Sequence, residues 1–408
     1  MGEAEVRRPV RLLGWMVILL VPVAVLGGIE AAVRGFGLEP SLDRPAGVPM
    51  WLDRNILVKE TRWIELLSAS PADLKNYYRT YRWDRDLFYR LQPNLDVPLT
   101  DVTAPAEIRA RTGWTLHTNS EGYNTPEAAR EKPAGTFRIL ALGDSSTFGW
   151  GVDTESAYPH VLERMLRERH PGLGIEVVNL GVCGYSSFQG LIVLKQEALP
   201  YQPDLVTLSY GSNDYSPVPE AFDVAYQRNR GWTGAVREAL QHSRAYQVSA
   251  ALLMSRFGRG APHAEGSNGK VNAVLNVGPE KSRILLETMA QLSRKAGMDA
   301  IFVSNCVPGE MSAPIRAAAA ATGTPLVDSE PLLEAAVPDV AAGARYAQEF
   351  SRYKDLYGPQ LLADYPWLAV YLTDQCHPNV VGHRLEAEAL ARLVEESPSF
   401  KKFIGRAR

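Results

Sequence analysis

Five residues between positions 145 and 377 have the side-chain types that acyl transfer requires. Ser145 can act as a nucleophile, His377 as its general base, and Asp374 as the group that holds the imidazole in one tautomer. Gly184 and Asn213, together with the N–H of Ser145, can donate hydrogen bonds to the oxyanion of a tetrahedral intermediate. Each motif alone is common in turns and helix caps, so the prediction depends on their occurring together.

The chain alternates between apolar strands and helices from Thr136 onward, and this alternation indicates how these residues are held. We predict strands at Phe137–Leu142, Ile175–Leu180, Asp204–Tyr210, Asp299–Asn305 and Thr324–Asp328. We predict helices at Ala157–Arg169, Ser187–Ala198, Glu280–Ala296, Ala313–Ala321 and Val381–Glu395. Such alternation predicts right-handed crossovers and a parallel sheet, which places chemistry at the carboxyl ends of its strands. Ser145, Gly184 and Asn213 each follow one of these strands.

Two stretches interrupt the alternation. Ser216–Val277 is predicted to be an insertion with helical parts and a polar, glycine-rich loop in its middle. Glu330–Thr373 is rich in aromatic residues and leads directly into the motif that contains His377. Its aromatic side chains could line a substrate cleft or pack in the core, and the sequence leaves both interpretations open.

The four motifs together resemble those of the SGNH/GDSL hydrolase superfamily, over about Thr136–Ser397. The matching residues are Ser145 in GDSSTFG, Gly184 in NLGVCGYS, Asn213 in GSND, and Asp374 and His377 in DQCHPN. The likeness is greatest to bacterial membrane-anchored members, which carry a stretch similar to Thr118–Tyr123. It implies a flavodoxin-like three-layer α/β/α sandwich with a five-stranded parallel sheet. GDSS replaces the commoner GDSL, at a position after the nucleophile.

The residues and the resemblance together predict a serine esterase or acylhydrolase that forms an acyl-enzyme. The expected substrate is an O-acetyl or other short acyl ester on a cell-envelope glycan or lipid. One alternative is an O-acetyltransferase that uses the same acyl-enzyme, and another is a catalytically silent envelope binding module. The α/β-hydrolase fold is disfavoured because the sequence has no Gly-x-Ser-x-Gly elbow.

No cofactor or metal is expected. His377 and His383 are six positions apart, and the sequence contains no His-x-x-x-His or Cys-x-x-Cys pair. His383 is therefore predicted to be a helix-surface residue. The formal net charge of −3 also argues against nucleic acid as a partner.

An apolar run of 18 residues, Leu12–Ile29, is just long enough to cross a bilayer as a helix. Arg7, Arg8 and Arg11 precede it, which predicts a cytoplasmic N-terminus and a body on the extracytoplasmic, periplasmic side. The alternatives are a cleaved signal peptide, whose cleavage site would be poor here, and a buried helix of a globular protein. The predicted partners are thus the membrane and an ester-bearing small molecule, glycan or lipid.

The predicted organisation has three parts. Residues 1–33 form the cytoplasmic tip and anchor, residues 34–135 an extension packed on the catalytic body, and residues 136–400 the hydrolase domain. Within the extension, Ser70–Leu91 is predicted to be helical and Thr112–Asn124 to be a short strand ending in a turn. The aromatic residues of the extension are interpreted as packing rather than as a binding platform.

Two of the three cysteines flank predicted site residues. Cys183 precedes Gly184 and Cys376 precedes His377, so their Cα atoms could approach within disulfide range in an oxidising compartment. Such a bridge would leave Cys306 as the free thiol. The alternative, which is the commoner arrangement for small buried thiols, is that the two never meet.

Overall fold

The computed structural model describes residues 20–38, 81–100, 108, 111–218, 221–240, 242–249, 274–306 and 309–407. Residues 20–35 form a helix. Within these described ranges, no helix combines the length and the apolar character needed to span a bilayer. The predicted anchor begins at Leu12, so its first part, like the arginines before it, lies outside the described residues.

Eleven strands are present in the described residues. In chain order they are β1 (Tyr81–Asp84), β2 (Phe88–Leu91), β3 (Asp96–Leu99), β4 (Trp114–His117), β5 (Thr136–Gly143), β6 (Gly174–Asn179), β7 (Leu205–Ser209), β8 (Pro217–Val218), β9 (Val274–Leu275), β10 (Asp299–Ser304) and β11 (Leu326–Asp328). Of these, β5, β6, β7, β10 and β11 match the five predicted strands within two residues at each end.

The helices also agree with the predicted ones, and several further helices are present. Besides helical residues 20–35 and 244–249, they are in chain order α1 (Ser145–Phe148), α2 (Tyr158–Arg169), α3 (Ser187–Val193), α4 (Phe222–Asn229), α5 (Trp232–Leu240), α6 (Pro279–Lys295), α7 (Ala313–Thr322), α8 (Ser329–Ala341), α9 (Ala347–Asp364), α10 (Val380–Glu396) and α11 (Pro398–Ala407). Helix α3 continues as a π-helical turn over Leu194–Ala198.

The central sheet has five parallel strands in the order β11-β10-β7-β5-β6. Counted along the chain from β5, this is the order 2-1-3-4-5 of a flavodoxin-like sheet. The predicted five-stranded parallel sheet is therefore confirmed. Because β6 and β7 lie on opposite sides of β5, the chain changes direction across the sheet at the carboxyl end of β5, and a crevice opens there.

Strand β5 shows why helices cover both faces of the sheet. Phe137, Ile139 and Ala141 point to one side and pack with α2, α10 and α11, whereas Leu140 and Leu142 point to the other and pack with α3, α6 and α7. All five side chains are fully buried. A strand that is apolar on both faces must be covered on both, so the sequence run itself requires a three-layer arrangement.

The described part of the extension forms two antiparallel hairpins, β1–β2 and β3–β4. The predicted helix over Ser70–Leu91 is wrong where it can be examined, since residues 81–84 and 88–91 are strands; residues 70–80 lie outside the described ranges. An Asx turn explains the hairpin: the Asp84 carboxylate accepts hydrogen bonds from the N–H groups of Asp86 and Leu87 at 2.9 and 2.7 Å. The predicted strand within Thr112–Asn124 is present as β4.

The described parts of both interrupting stretches are mainly helical. The insertion begins and ends with the paired strands β8 and β9 and contains α4 and α5, while its predicted glycine-rich loop lies outside the described residues. In the aromatic stretch before His377, the side chains of Phe350, Tyr353 and Tyr357 belong to the buried core. For these three side chains, packing in the core is therefore the correct interpretation, and they do not line a cleft. The predicted division of the chain into three parts stays a prediction.

Candidate active site

The loops that follow β5, β6 and β7 meet at the crevice, and they carry Ser145, Gly184 and Asn213 respectively. The segment between a 3₁₀ turn, Pro366–Ala369, and helix α10 brings Asp374 and His377 to the same place. Residues that lie up to 232 positions apart in sequence are thus brought within hydrogen-bond distance of one another.

The nucleophile candidate begins a short helix. Asp144 caps α1 by accepting a hydrogen bond from the Ser146 N–H at 3.0 Å, and Gly149, at φ 89°, ends the helix in a left-handed conformation. Ser145 is partly exposed, but Ser146 and Thr147 are fully buried. Only the Ser145 hydroxyl is therefore accessible at this turn.

The base and its partner lie in one tight turn. The ring nitrogens of His377 contact Ser145 Oγ at 2.7 Å through Nε2 and Asp374 Oδ2 at 2.5 Å through Nδ1. Asp374 Oδ1 also accepts the main-chain N–H groups of Cys376 and His377, both at 3.0 Å. Because Nδ1–H donates to the carboxylate, Nε2 is left to accept the serine proton.

Asp374 remains ionised in this environment. Burial opposes the charge, but the adjacent His377 ring and the hydrogen bonds from His377 and Cys376 outweigh it and lower the pKa of Asp374 below its usual value. An ionised carboxylate on Nδ1 is the condition that fixes the tautomer and stabilises the imidazolium.

Two residues that the sequence did not single out hold the histidine loop. The Trp150 ring lies beside the His377 ring, with centroids 6.2 Å apart. Asn379 caps α10 through its Oδ1, which accepts from the N–H groups of Val381 and Gly382, and its Nδ2 donates to Leu368 O at 3.0 Å. Asn379 follows His377 by two residues in the DQCHPN motif, so a helix-cap signal was available in the sequence.

The main-chain N–H groups of Ser145 and Gly184 are available as donors. Neither donates a hydrogen bond to another atom of the described residues, and both residues are partly exposed among buried neighbours. Gly184 has φ 79°, a left-handed conformation that suits glycine. Asn179, another residue outside the sequence prediction, fixes this loop to the nucleophile turn: its amide donates to Thr147 O and its Oδ1 accepts from the Gly181 N–H, both at 2.9 Å.

Asn213 differs from the expectation that its amide is a free donor. Its Nδ2 donates to Asp144 Oδ2 and to the Tyr185 carbonyl, both at 3.0 Å, and the side chain is buried. Both amide hydrogens therefore have acceptors within the protein, and the residue connects the loop after β5 to the loop after β6. Donation to an oxyanion would have to be shared with one of these bonds.

His383 was predicted on a helix surface, and that prediction is wrong. Its side chain is fully buried between α10 and α2, and its Nδ1 accepts the Tyr158 N–H at 3.3 Å. Burial, together with the His377 charge, lowers the pKa of His383 to about 3. Burial raises the pKa of the neighbouring Glu386 to about 8, so both groups are neutral at pH 7. The face of α10 that carries His383 and Glu386 is packed against other elements, although these polar residues suggested an exposed face.

Cys183 and Cys376 do not pair, as the favoured alternative expected, but the partner of Cys376 was not foreseen. Cys376 is bonded to Cys306, with 4.5 Å between their Cα atoms, and Cys183 is a buried thiol that forms no disulfide. Cys306 follows the carboxyl end of β10 by two residues, so the bridge attaches the histidine loop to the central sheet. Potential metal-ligand atoms of Cys306, Cys376 and His377 lie within 4.8 Å of one another. The donor set does not fit a cation, since the sulfurs are bonded to each other and both ring nitrogens have partners.

Comparison with known proteins identifies the family of the chain. The profile of the GDSL-like lipase/acylhydrolase family matches residues 141–385, and the chain belongs to that family. An arylesterase of Vibrio mimicus is 34% identical over 77 residues, which cover 19% of this chain and 38% of that one. An uncharacterized protein of Mycoplasma pneumoniae is 23% identical over 176 residues, 42% of this chain and 20% of its own. The match thus spans well under two thirds of both relatives.

Solved structures that match part of this chain include a putative lipolytic protein of the G-D-S-L family from Desulfitobacterium hafniense, 16% identical with a TM-score of 0.35. It is matched over 63% of this chain and 98% of its own. An acetylxylan esterase from Geobacillus stearothermophilus is 17% identical with a TM-score of 0.36, over 63% of this chain and 93% of its own.

The disulfide can be tested by counting thiols. The unfolded, unreduced protein is expected to show one free thiol, located at Cys183, and a Cys183→Ala variant none. Replacing Cys306 and Cys376 together by alanine should lower the free energy of unfolding by ~4 kcal/mol, because the bridge closes a long loop in the unfolded chain. Three free thiols in the wild-type protein, or a free Cys306, would contradict the assigned pairing.

Proposed function

We propose that this protein is a serine esterase in which Ser145 is the nucleophile, His377 the general base and Asp374 the group that orients His377. The observation that carries the proposal is the unbroken hydrogen-bond chain from Ser145 Oγ through both His377 nitrogens to Asp374. Ser145 Oγ attacks the ester carbonyl while His377 Nε2 takes its proton. The alcohol then leaves with that proton, and a water deprotonated by His377 releases the acyl group as a carboxylic acid.

We assign the oxyanion to the N–H groups of Ser145 and Gly184, with Asn213 as a further donor. The two main-chain groups support this assignment because both lack an acceptor among the described residues and belong to loops at the same crevice. One such donor stabilises the transition state by ~3 kcal/mol. Asn213 contributes less as a donor if its bonds to Asp144 and Tyr185 persist.

The proposed substrate is an O-acetyl or other short acyl ester on a cell-envelope glycan or lipid. Ester hydrolysis is supported by family membership and by the likeness to an arylesterase. The envelope substrate is supported by the predicted export of the catalytic body, since a protein there meets glycans and lipids first.

Hydrolysis of p-nitrophenyl esters from acetyl to long-chain acyl, with and without an oligosaccharide acceptor, tests the proposal. Ser145→Ala should abolish turnover, whereas Ser146→Ala, which removes a buried hydroxyl from the next residue, should retain it. A fluorophosphonate should label Ser145 alone. Full activity in Ser145→Ala would refute the mechanism, preference for long chains would refute the substrate class, and acceptor-dependent transfer would identify a transferase.

The role of Asp374 predicts a particular pH dependence. The wild-type rate should fall as the pH falls through the titration of His377, because only neutral imidazole accepts the serine proton. Asp374→Asn should lower kcat by a factor on the order of 10³–10⁴ with little change in KM. It should also move the midpoint of the pH profile to lower pH, since a carboxylate that favours imidazolium is gone. An unchanged midpoint would count against this role.

We also propose that the N-terminal helix anchors the protein in a membrane, with the body on the extracytoplasmic side. Six apolar side chains are exposed around the described part of that helix: Leu20, Val21, Val23, Val25, Leu26 and Ile29. At its other end the Glu30 carboxylate accepts hydrogen bonds from the Ser243 hydroxyl and the Arg244 and Ala245 N–H groups, each at 2.8 Å. These bonds attach the helix to the insertion of the catalytic body.

The full-length protein should therefore sediment with membranes, resist extraction by high salt or carbonate, and be digested by protease added outside the cytoplasmic membrane. Substituting Val23 and Leu26 by lysine should release it, because charges in the middle of an apolar helix are costly in lipid. Recovery of the wild-type protein in the soluble fraction would contradict the anchor.

A further inference from the structure

The β1–β2 hairpin of the extension contacts the loop that carries Gly184. The Tyr89 hydroxyl donates a hydrogen bond to the Cys183 carbonyl at 2.7 Å, and the Tyr185 hydroxyl donates to the Tyr89 carbonyl, also at 2.7 Å. Gln189 adds a third bond, from its Nε2 to Leu87 O at 2.8 Å. Tyr89, Tyr185 and Gln189 are buried, so these bonds are shielded from water.

The bond to Cys183 acts on the peptide group that matters most for the proposed reaction. The Cys183 carbonyl and the Gly184 N–H belong to one peptide unit, and that unit is planar and trans. Fixing the carbonyl therefore fixes the direction of the N–H on the other side of the plane. Gly184 has φ 79° and lacks a Cβ, so its neighbouring peptide would otherwise rotate with little steric resistance.

We propose that Tyr89 is a positioning residue for the oxyanion hole: it orients and polarises the Cys183–Gly184 peptide so that the Gly184 N–H points at the developing oxyanion. This inference rests on the proposed function, because it needs Gly184 as an oxyanion donor. A hydrogen bond accepted by a carbonyl strengthens the donation by the N–H of the same amide, and the buried location increases the effect. The extension is thereby part of the site and does more than pack on it.

The local structure shows that the hydroxyl is held closely in place. A Cβ built on Gly184 would lie 2.5 Å from the Tyr89 hydroxyl oxygen, so the loop approaches the ring without a gap. The Tyr89 ring makes edge-on contacts with Tyr81 and Tyr185, at centroid distances of 5.5 and 5.2 Å. The preceding residue, Phe88, is buried with φ 69°, a strained conformation for a bulky side chain that persists only where the surroundings impose it.

Tyr89→Phe removes the hydroxyl and leaves the ring. We expect kcat for a p-nitrophenyl ester to fall about 10-fold while KM changes less than about twofold, because the oxyanion exists only in the transition state. This loss of kcat should be smaller than the 10²–10³-fold loss typical of deleting an oxyanion donor, because the Gly184 N–H remains but is less well aligned. Affinity for a boronic acid that mimics the tetrahedral adduct should fall by the same factor as kcat.

Tyr201→Phe is the matched control. Tyr201 is equally buried, and its hydroxyl donates to Glu121 Oε2 at 2.8 Å, outside the loops of the site. It should lose stability comparable to Tyr89→Phe, measured as the melting temperature, and retain kcat. If Tyr89→Phe does not fold, fluorinated tyrosines at position 89 keep the hydroxyl and vary its strength as a donor, and kcat should rise with phenol acidity.

The outcomes separate this inference from the proposed function. Equal kcat values for Tyr89→Phe, Tyr201→Phe and the wild type would overturn the role of Tyr89 and leave the esterase intact. A rise in KM at constant kcat, or a kcat indifferent to phenol acidity, would overturn it as well. Absence of Ser145-dependent hydrolysis in the wild-type protein would instead overturn the proposed function and the inference together.

Discussion

One buried carboxylate, Asp144, is the point at which the loops of the site are joined. Its Oδ1 caps the helix that begins at Ser145, and its Oδ2 accepts a hydrogen bond from the Asn213 amide. The second hydrogen of that amide binds the Tyr185 carbonyl. The nucleophile turn, the loop after β7 and the loop after β6 therefore share one hydrogen-bond network, and a shift in any of them would disturb the other two.

Much of the fold and the site was predictable because their signals are local. The five strands could be derived from short apolar runs. In β5 and β7 the run is followed within a few residues by Gly-Asp-Ser or Gly-Ser-Asn, which also marks the positions of Ser145 and Asn213. Asp374 and His377 are three residues apart, and their contact needs only one turn of chain.

The features that sequence reasoning missed depend on partners distant in sequence. Cys376 pairs with Cys306, whose placement at the end of β10 could not be derived from the motif around Cys376. His383 is buried because a second helix covers its face of α10, which no periodicity in α10 reveals. Tyr89 lies 94 positions before its acceptor, in a segment that its first residues, Ser70 and Pro71, suggested was a helix. Within that segment the hairpin itself has a local signal, the Asx turn of Asp84 between two aromatic-rich runs, which the helix prediction overlooked.

The Cys306–Cys376 bridge determines how the chain between the two cysteines tolerates cleavage, insertion and deletion. Strand β11 and helices α7, α8 and α9 lie between the two cysteines, which are 70 positions apart. The bridge closes this segment into a covalent ring that joins the sheet through β11 and again at the end of β10. A peptide bond cut anywhere in the ring leaves both fragments covalently joined, and His377 stays attached to the end of β10 through the adjacent Cys376. The ring can therefore gain or lose residues without altering where the histidine is anchored.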